Sequence, residues 1–350
     1  MMNSIKFMLL SQLKRSELTH KKDGGFTLIE VLVAMILAAL VIAPLLGFMV
    51  NILDNDRKEQ AKSASEQEIK DALDYISQDL AQAVYIYDND GLKNNSTTNP
   101  ATSGIKNQIP PFATGSAAVG CAPATTQCVP ILVLWKRLAR PKALPTIAGA
   151  TCPPPSNGVD NCNDANVYSL VAYYLIKDLT PSNNTWSKAA RIGRFEIRDG
   201  VRNPNNPSAY ITNPNEQPSS GFKMFDLKAA SSLNLAMNSW TNSGAYTATS
   251  PKIQVLVDYI DQSTNGLTHN CPNPSGATTN PQKVPANLTG GFYACINSDP
   301  SQLSAQVFIR GNALARISPA DNPPDYSPSS SIYFPSASIQ VKGRGFLYNK

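Results

Sequence analysis

The 350-residue chain is 42% hydrophobic but only 16% charged, below the usual quarter or so. Rich in Asn, Ser, Thr, Pro and Gly, it has the composition of an exported, loop-rich protein, not of a disordered chain or a cytosolic enzyme. The net charge of +5 is concentrated at one end: residues 1–25 hold five basic and two acidic side chains, leaving +2 for the rest. A phosphate-binding surface needs a concentrated basic patch or stripe; none is visible in the sequence, and no nucleic-acid partner is expected.

The first predicted elements are a basic leader, residues 1–25, and a membrane-spanning helix. Residues 31–50 read VLVAMILAALVIAPLLGFMV, twenty residues without a charged or polar side chain. At about 1.5 Å per residue, that length spans the roughly 30 Å of a hydrocarbon core. Basic residues are in excess before this run, whereas residues 54–71 carry four basic and six acidic side chains. The positive-inside rule therefore puts the N-terminus in the cytoplasm and the rest of the chain outside. Pro44 and Gly47 interrupt the run, predicting a kink of the kind membrane helices tolerate. Glu30 stands just before it. A carboxylate within a membrane helix costs about 3 kcal/mol on insertion scales, so it calls for a partner or a place at the membrane edge.

A secretory signal would put its cleavage site after the apolar run. Here the only processing-like sequence comes before it: Gly24-Gly25-Phe26-Thr27-Leu28-Ile29-Glu30. This junction resembles the class III signal of type IV prepilins and pseudopilins. The resemblance implies that a prepilin peptidase cuts between Gly25 and Phe26 and methylates the new N-terminus, leaving 325 of the 350 residues. It also implies that Glu30 pairs with the free amine of Phe26 on a neighbouring subunit and so sets axial register. Thr27, Leu28 and Ile29 complete that assembly segment. A proline accompanies local unwinding in the filaments of this family; the usual position falls on Gly47 here, three residues after Pro44.

From Asn51 to Tyr87 there is no Gly or Pro, and the spacing predicts that the helix continues as an amphipathic segment over 54–87. Ile69, Leu73, Ile76, Leu80, Ala83 and Val84 form its apolar face, the seat for a globular head. Asp71, Asp74, Gln78 and Gln82 face elsewhere. Asp88-Asn89-Asp90-Gly91 predicts the stop.

Residues 88–350 read as a β-rich head. Six apolar, β-branched or aromatic runs predict strands: Pro130–Arg137, Val167–Lys177, Ala190–Arg198, Lys252–Asp261, Ala305–Arg310 and Ser338–Leu347. With no helical pattern between them the sheet is predicted to be mainly antiparallel. Long loops cover 88–129, 138–166, 199–222, 262–304 and 318–337. The periodicity gives an α+β fold; the resemblance makes it pilin-like, a long N-terminal helix packed on an antiparallel sheet. The six cysteines are Cys121, Cys128, Cys152, Cys162, Cys271 and Cys295, an even number without zinc-site spacing, which reads as three disulfides in an oxidising compartment. Fifteen pairings are open; pairing of chain neighbours, 121–128, 152–162 and 271–295, is the expectation.

No catalytic constellation is present. His20 and His269 are the only histidines, and no H-E-x-x-H, P-loop or G-x-G-x-x-G occurs. Asp88–Gly91 and Asp160–Asp164 have some likeness to calcium loops, but neither continues to a Glu at the EF-hand position, and both read as hydrogen-bonded turns. Tyr85, Tyr87, Tyr173 and Tyr174 read as core packing. No enzyme activity, cofactor or metal is expected.

Two further patterns narrow the resemblance. Asp74-Tyr75-Ile76-Ser77-Gln78-Asp79-Leu80 with Val171-Ala172-Tyr173-Tyr174-Leu175 is similar to large minor pilins of the W class and J-type secretion pseudopilins. Ser338-Ile339-Gln340-Val341-Lys342-Gly343-Arg344-Gly345-Phe346-Leu347 is similar to cyanobacterial pseudopilins of hormogonium polysaccharide secretion. They imply a low-abundance filament subunit acting in priming or at the tip, supporting motility or secretion. Its partners would be the prepilin peptidase, other major and minor pilins or pseudopilins, and an inner-membrane assembly platform. The location implied is single-pass in the inner membrane with the head periplasmic, then an extracellular filament or periplasmic pseudopilus. A membrane-anchored adhesin or carbohydrate-binding protein is the alternative suggested by the long loops.

Overall fold

The computed structural model describes residues 25–93, 103–147, 150, 152–154, 157–179, 185–267, 270–272, 280–318 and 322–344. Leader residues 1–24 (Gly24 among them), His269 and the end of the C-terminal run, residues 345–347, lie outside the described residues. The chain divides into two units, one up to Asp56 and one from Arg57 onward.

Helix α1 spans Leu28–Ala81. In the first unit it is the apolar helix itself, and from Gly25 to Arg57 every residue is exposed. It runs through both Pro44 and Gly47. Among the described residues it is the one helix long and apolar enough to cross a membrane.

In the second unit the same helix buries Ala61, Ser65, Ile69, Ala72, Leu73, Ile76, Asp79 and Leu80. These fall at three- and four-residue steps, a single stripe on one face. Each fully buried Ile or Leu there contributes about 1.5–3 kcal/mol relative to exposure. The helix stops at Ala81, six residues short of the expected Tyr87. Ala83–Ile86 is instead strand β1. The physical reason is composition: Val84, Tyr85, Ile86 and Tyr87 are β-branched or aromatic, and suit a pleated surface better than a helix end. Tyr85 and Ile86 sit opposite Trp135 and Leu134 of the next strand. Asn89, Asp90 and Gly91 of the expected stop Asp88–Gly91 instead open the short helix α2, Asn89–Lys93.

The main sheet continues with β2 (Thr126–Pro145), β3 (Cys162–Asp178), β4 (Ala190–Arg198) and, after the small hairpin β5 (Arg202–Asn203) and β6 (Asn206–Tyr210) and helix α3 (Leu233–Asn238), β7 (Gln254–Ile260). Its order is β1-β2-β3-β4-β7, every pair antiparallel. Strands β2 and β3 are longer than expected and reduce the predicted 138–166 loop to 146–161. Residues 131–136 of β2 are buried without alternation, because both faces of this sheet are covered. On one side Lys136, Tyr173 and Arg194 meet α1. On another, Trp135 packs edge-on against Phe222, Phe225 and Trp240 from the segment that carries α3.

A second antiparallel sheet is formed by β8 (Gln282–Val284), β9 (Phe292–Asn297), β10 (Ser304–Arg310) and β11 (Ser336–Lys342), in the order β11-β10-β9-β8. Its inward residues, among them Phe292, Ala294, Val307 and Ile309, join the core built by α1 and the first sheet. Helix α1 comes so close to Gly311 that a Cβ there would lie 2.5 Å from Ser65 Oγ and 2.8 Å from Ile69 Cδ1. Three disulfides join Cys121 to Cys128, Cys152 to Cys162 and Cys271 to Cys295.

Candidate functional site

The site begins where α1 begins. Thr27 precedes the first helical residue, and its Oγ1 accepts a hydrogen bond from the Glu30 backbone N–H at 3.3 Å. The same hydroxyl donates to Glu30 Oε2 at 3.5 Å. This is the T-x-x-E arrangement of a capped helix start, and it satisfies one of the N–H groups left open there. It also holds the Glu30 carboxylate in the first turn, where the helix dipole favours negative charge. The cap was not anticipated, although T-x-x-E ahead of an apolar run is its sequence signal.

Around this cap nothing is buried. Phe26 is 81% exposed, Leu28 91% and Ile29 67%. The segment thus presents, in order, an exposed aromatic residue, a capped helix start with a fixed carboxylate, and a long apolar surface whose described residues are all exposed. Gly25 and Phe26 precede the helix, without regular secondary structure and exposed. Gly24, the first residue of the expected signal, is outside the described residues.

The second functional feature is how the head holds its own end of the helix. Asp79 lies on the buried stripe, three residues after Ile76. Its Oδ1 is 2.7 Å from Lys136 Nζ; its Oδ2 accepts from Tyr173 OH at 2.6 Å and from Arg194 Nε at 2.9 Å. Glu196 completes the group, 2.7 Å from Arg194 and 3.5 Å from Lys136. Two acids and two bases balance, and the network ties α1 to β2, β3 and β4 at once. Burial pushes the Asp79 carboxyl up, but Arg194 and Lys136 outweigh it and hold it below the usual carboxylate range. Burial, with Asp79 beside it, raises the Tyr173 phenol far above its ordinary value, so it serves as a donor. The segments Asp74–Leu80 and Val171–Leu175, far apart in sequence, meet at this Asp79–Tyr173 bond. Asp79 was the residue missed: its place on the apolar stripe was legible, its burial as a charge was not considered.

Other expected positions fall as follows. Tyr85, Tyr87, Tyr173 and Tyr174 are all buried, and Tyr87 OH donates to Met237 O while accepting from Trp135 Nε1. Of the two acidic segments read as turns, Asp88–Gly91 runs into helix α2 and Asp160–Asp164 into strand β3, and their carboxylates have internal partners. Asp88 accepts from the Gly91 N–H and from Ser298 Oγ. Asp160 pairs with Lys142, whose backbone N–H donates to Asp164. Among the described residues no group of three or more His, Cys, Asp or Glu side chains is placed to hold a metal ion.

Residues 20–46 match the family model described as the prokaryotic N-terminal methylation motif. No curated protein and no solved structure matches the chain. The motif match, the exposed apolar helix and the disulfide-bonded antiparallel head together support a place for this chain in the type IV pilin and pseudopilin family.

Proposed function

We propose that this protein is a minor pilin or pseudopilin, a low-abundance structural subunit of a type IV pilus-like or type II secretion-like filament. The observation that carries the reading is the methylation motif at residues 20–46, set on a capped helix whose apolar side chains are exposed. Prepilin peptidase cuts between Gly25 and Phe26 and methylates Phe26. The N-terminus is cytoplasmic, the head is exported, and the apolar half of α1 moves from the bilayer into a filament core.

Glu30 then acts as the register device. Thr27 holds its carboxylate at the helix start, where the methylated amine of a neighbouring Phe26 approaches. In a low-dielectric core an unpaired carboxylate is heavily penalised, so a subunit out of register is disfavoured. Leu28 and Ile29 flank the pair, and Pro44 and Gly47 are where the helix yields during transfer. The minor role rests on the size of the head, with its long loops and second sheet, which would crowd a shaft built from many copies. Priming or tip placement, alongside other pilins and an inner-membrane platform, follows from that. Support for motility or for secretion, polysaccharide secretion included, is part of the same reading.

The test is mass spectrometry of the N-terminal peptide of protein made in its own host. A chain beginning at N-methylated Phe26 is the expected result. An intact leader, or a cut near residue 50, would overturn the filament mechanism. An amount in sheared filaments comparable to the main subunit would overturn the minor role.

A further inference from the structure

The outer face of the second sheet carries a cavity of about 510 Å³, within the roughly 300–1,000 Å³ usual for small-molecule sites. Strand alternation places Tyr293, Phe308 and Ser338 side by side across β9, β10 and β11, since Phe308 is opposite both of the others. The Tyr293 and Phe308 rings stack with centroids 4.8 Å apart and planes within 9° of parallel. Tyr326 and Phe334, edge to face at 5.4 Å, add further ring surface to the lining, and Ser331, Ser336 and Ser338 supply hydroxyls.

The aromatic lining is fixed in place. Tyr326 packs so closely on Gly266 that a Cβ there would meet its ring at 2.4 Å, and Gly266 adopts φ +68°, which glycine tolerates best. The Arg310 guanidinium lies 4.3 Å from the Tyr326 ring centre. Its charge is already engaged: Nε donates to Asp261 Oδ2 at 2.7 Å and one terminal nitrogen to Asn265 O at 2.7 Å. The cavity is therefore lined by aromatic ring surface and by hydroxyls that both donate and accept, with the charge at its edge neutralised.

We propose that this cavity binds a neutral saccharide. A pyranose has an apolar face of C–H groups that suits an aromatic ring and a rim of hydroxyls that suits serine, and it brings no charge needing a counter-ion. A purely apolar ligand would leave the serine hydroxyls unused; an anionic one would compete with Asp261 for Arg310. The inference is independent of the filament reading, because the site lies wholly within the head.

The test uses the full-length protein in phosphocholine detergent, which contains no sugar. Neutral tetrasaccharides of glucose, mannose, galactose and N-acetylglucosamine are titrated and followed by saturation-transfer NMR. Uronic-acid oligomers and N-acetyltyrosinamide serve as contrasts. The expected result is millimolar or tighter binding of at least one neutral tetrasaccharide, weakened at least tenfold by Phe308→Ala and by Ser338→Arg. Ser338 is exposed on an edge strand, so Ser338→Arg fills the cavity while the tryptophan-fluorescence melting curve stays that of the parent. Absence of binding by every neutral tetrasaccharide, binding indifferent to Ser338→Arg, or preference for the uronic acids or the tyrosine amide would overturn the proposal.

Discussion

Replacing Asp79 by Asn tests what fastens α1 to the head. The substitution keeps size and shape but removes one of two negative charges from a group that holds Lys136 and Arg194, both nearly buried. Breaking a buried pair from one side costs about 3–5 kcal/mol, because the remaining charge is left without compensation. Glu196 stays 2.7 Å from Arg194 and 3.5 Å from Lys136, and takes up part of that charge. The loss should thus fall at the lower end, about 3 kcal/mol. The assay is urea unfolding of the full chain in detergent, read by the fluorescence of buried Trp135 and Trp240. Adding Lys136→Met to Asp79→Asn should recover part of the loss, with a coupling of about 0.5–3 kcal/mol. A single variant within about 0.5 kcal/mol of the parent, the scatter of an ordinary surface change, would refute the view that the network fastens the helix.

The same carboxyl makes stability depend on acid. Its folded pKa is below the ordinary aspartate value of 3.8, so its contribution is complete above about pH 3.8 and is lost as pH falls through the lower, folded value. The gap between parent and Asp79→Asn should narrow below about pH 3.8, measured by urea midpoints across the acid range. The disulfides should rank by the loop they close. Removing Cys271–Cys295, with a separation of 24 residues, should cost about 3.5 kcal/mol on the chain-entropy scale, against about 2.5 for Cys121–Cys128, in unfolding of paired Cys→Ser variants. Glu30→Val should leave processing and head stability unchanged but remove the protein from sheared filaments, as read by immunoblot of membrane and filament fractions. Its retention there at parental levels would refute the register role.

Much of the fold was legible because its signals are periodic. The apolar run is unbroken over twenty residues, and Ile69, Leu73, Ile76 and Leu80 mark the seat at helical steps. All six predicted strand runs coincide with strands, but the last ends at Lys342, with the described Gly343 and Arg344 outside it and residues 345–347 outside the described part. What was missed lacked such a period. Strand β9, Phe292–Asn297, is buried at every position, so it shows no alternation and was absorbed into a loop. The end of α1 carries no Gly or Pro, and only pairing of Tyr85 and Ile86 with β2 decides against helix there. The Tyr293–Phe308 stack joins residues that only the β9–β10 register brings together. At the N-terminus, by contrast, motif and cap are contiguous, and the residues from Gly25 to Glu30 could be named directly.

The position of Asp79 also has a mechanical meaning. Any pull on the head that arrives along the chain from before Arg57 travels down α1, and the next element after the helix is β1, an outer strand of the main sheet. Tension delivered there would peel β1 from β2 one hydrogen bond at a time. Asp79 stands two residues before the helix ends and is tied at that point to β2, β3 and β4. Load is therefore shared among three strands before it reaches the weakest, and the charged cluster works as a strain relief, like the clamp that keeps a cable from being torn out of its plug.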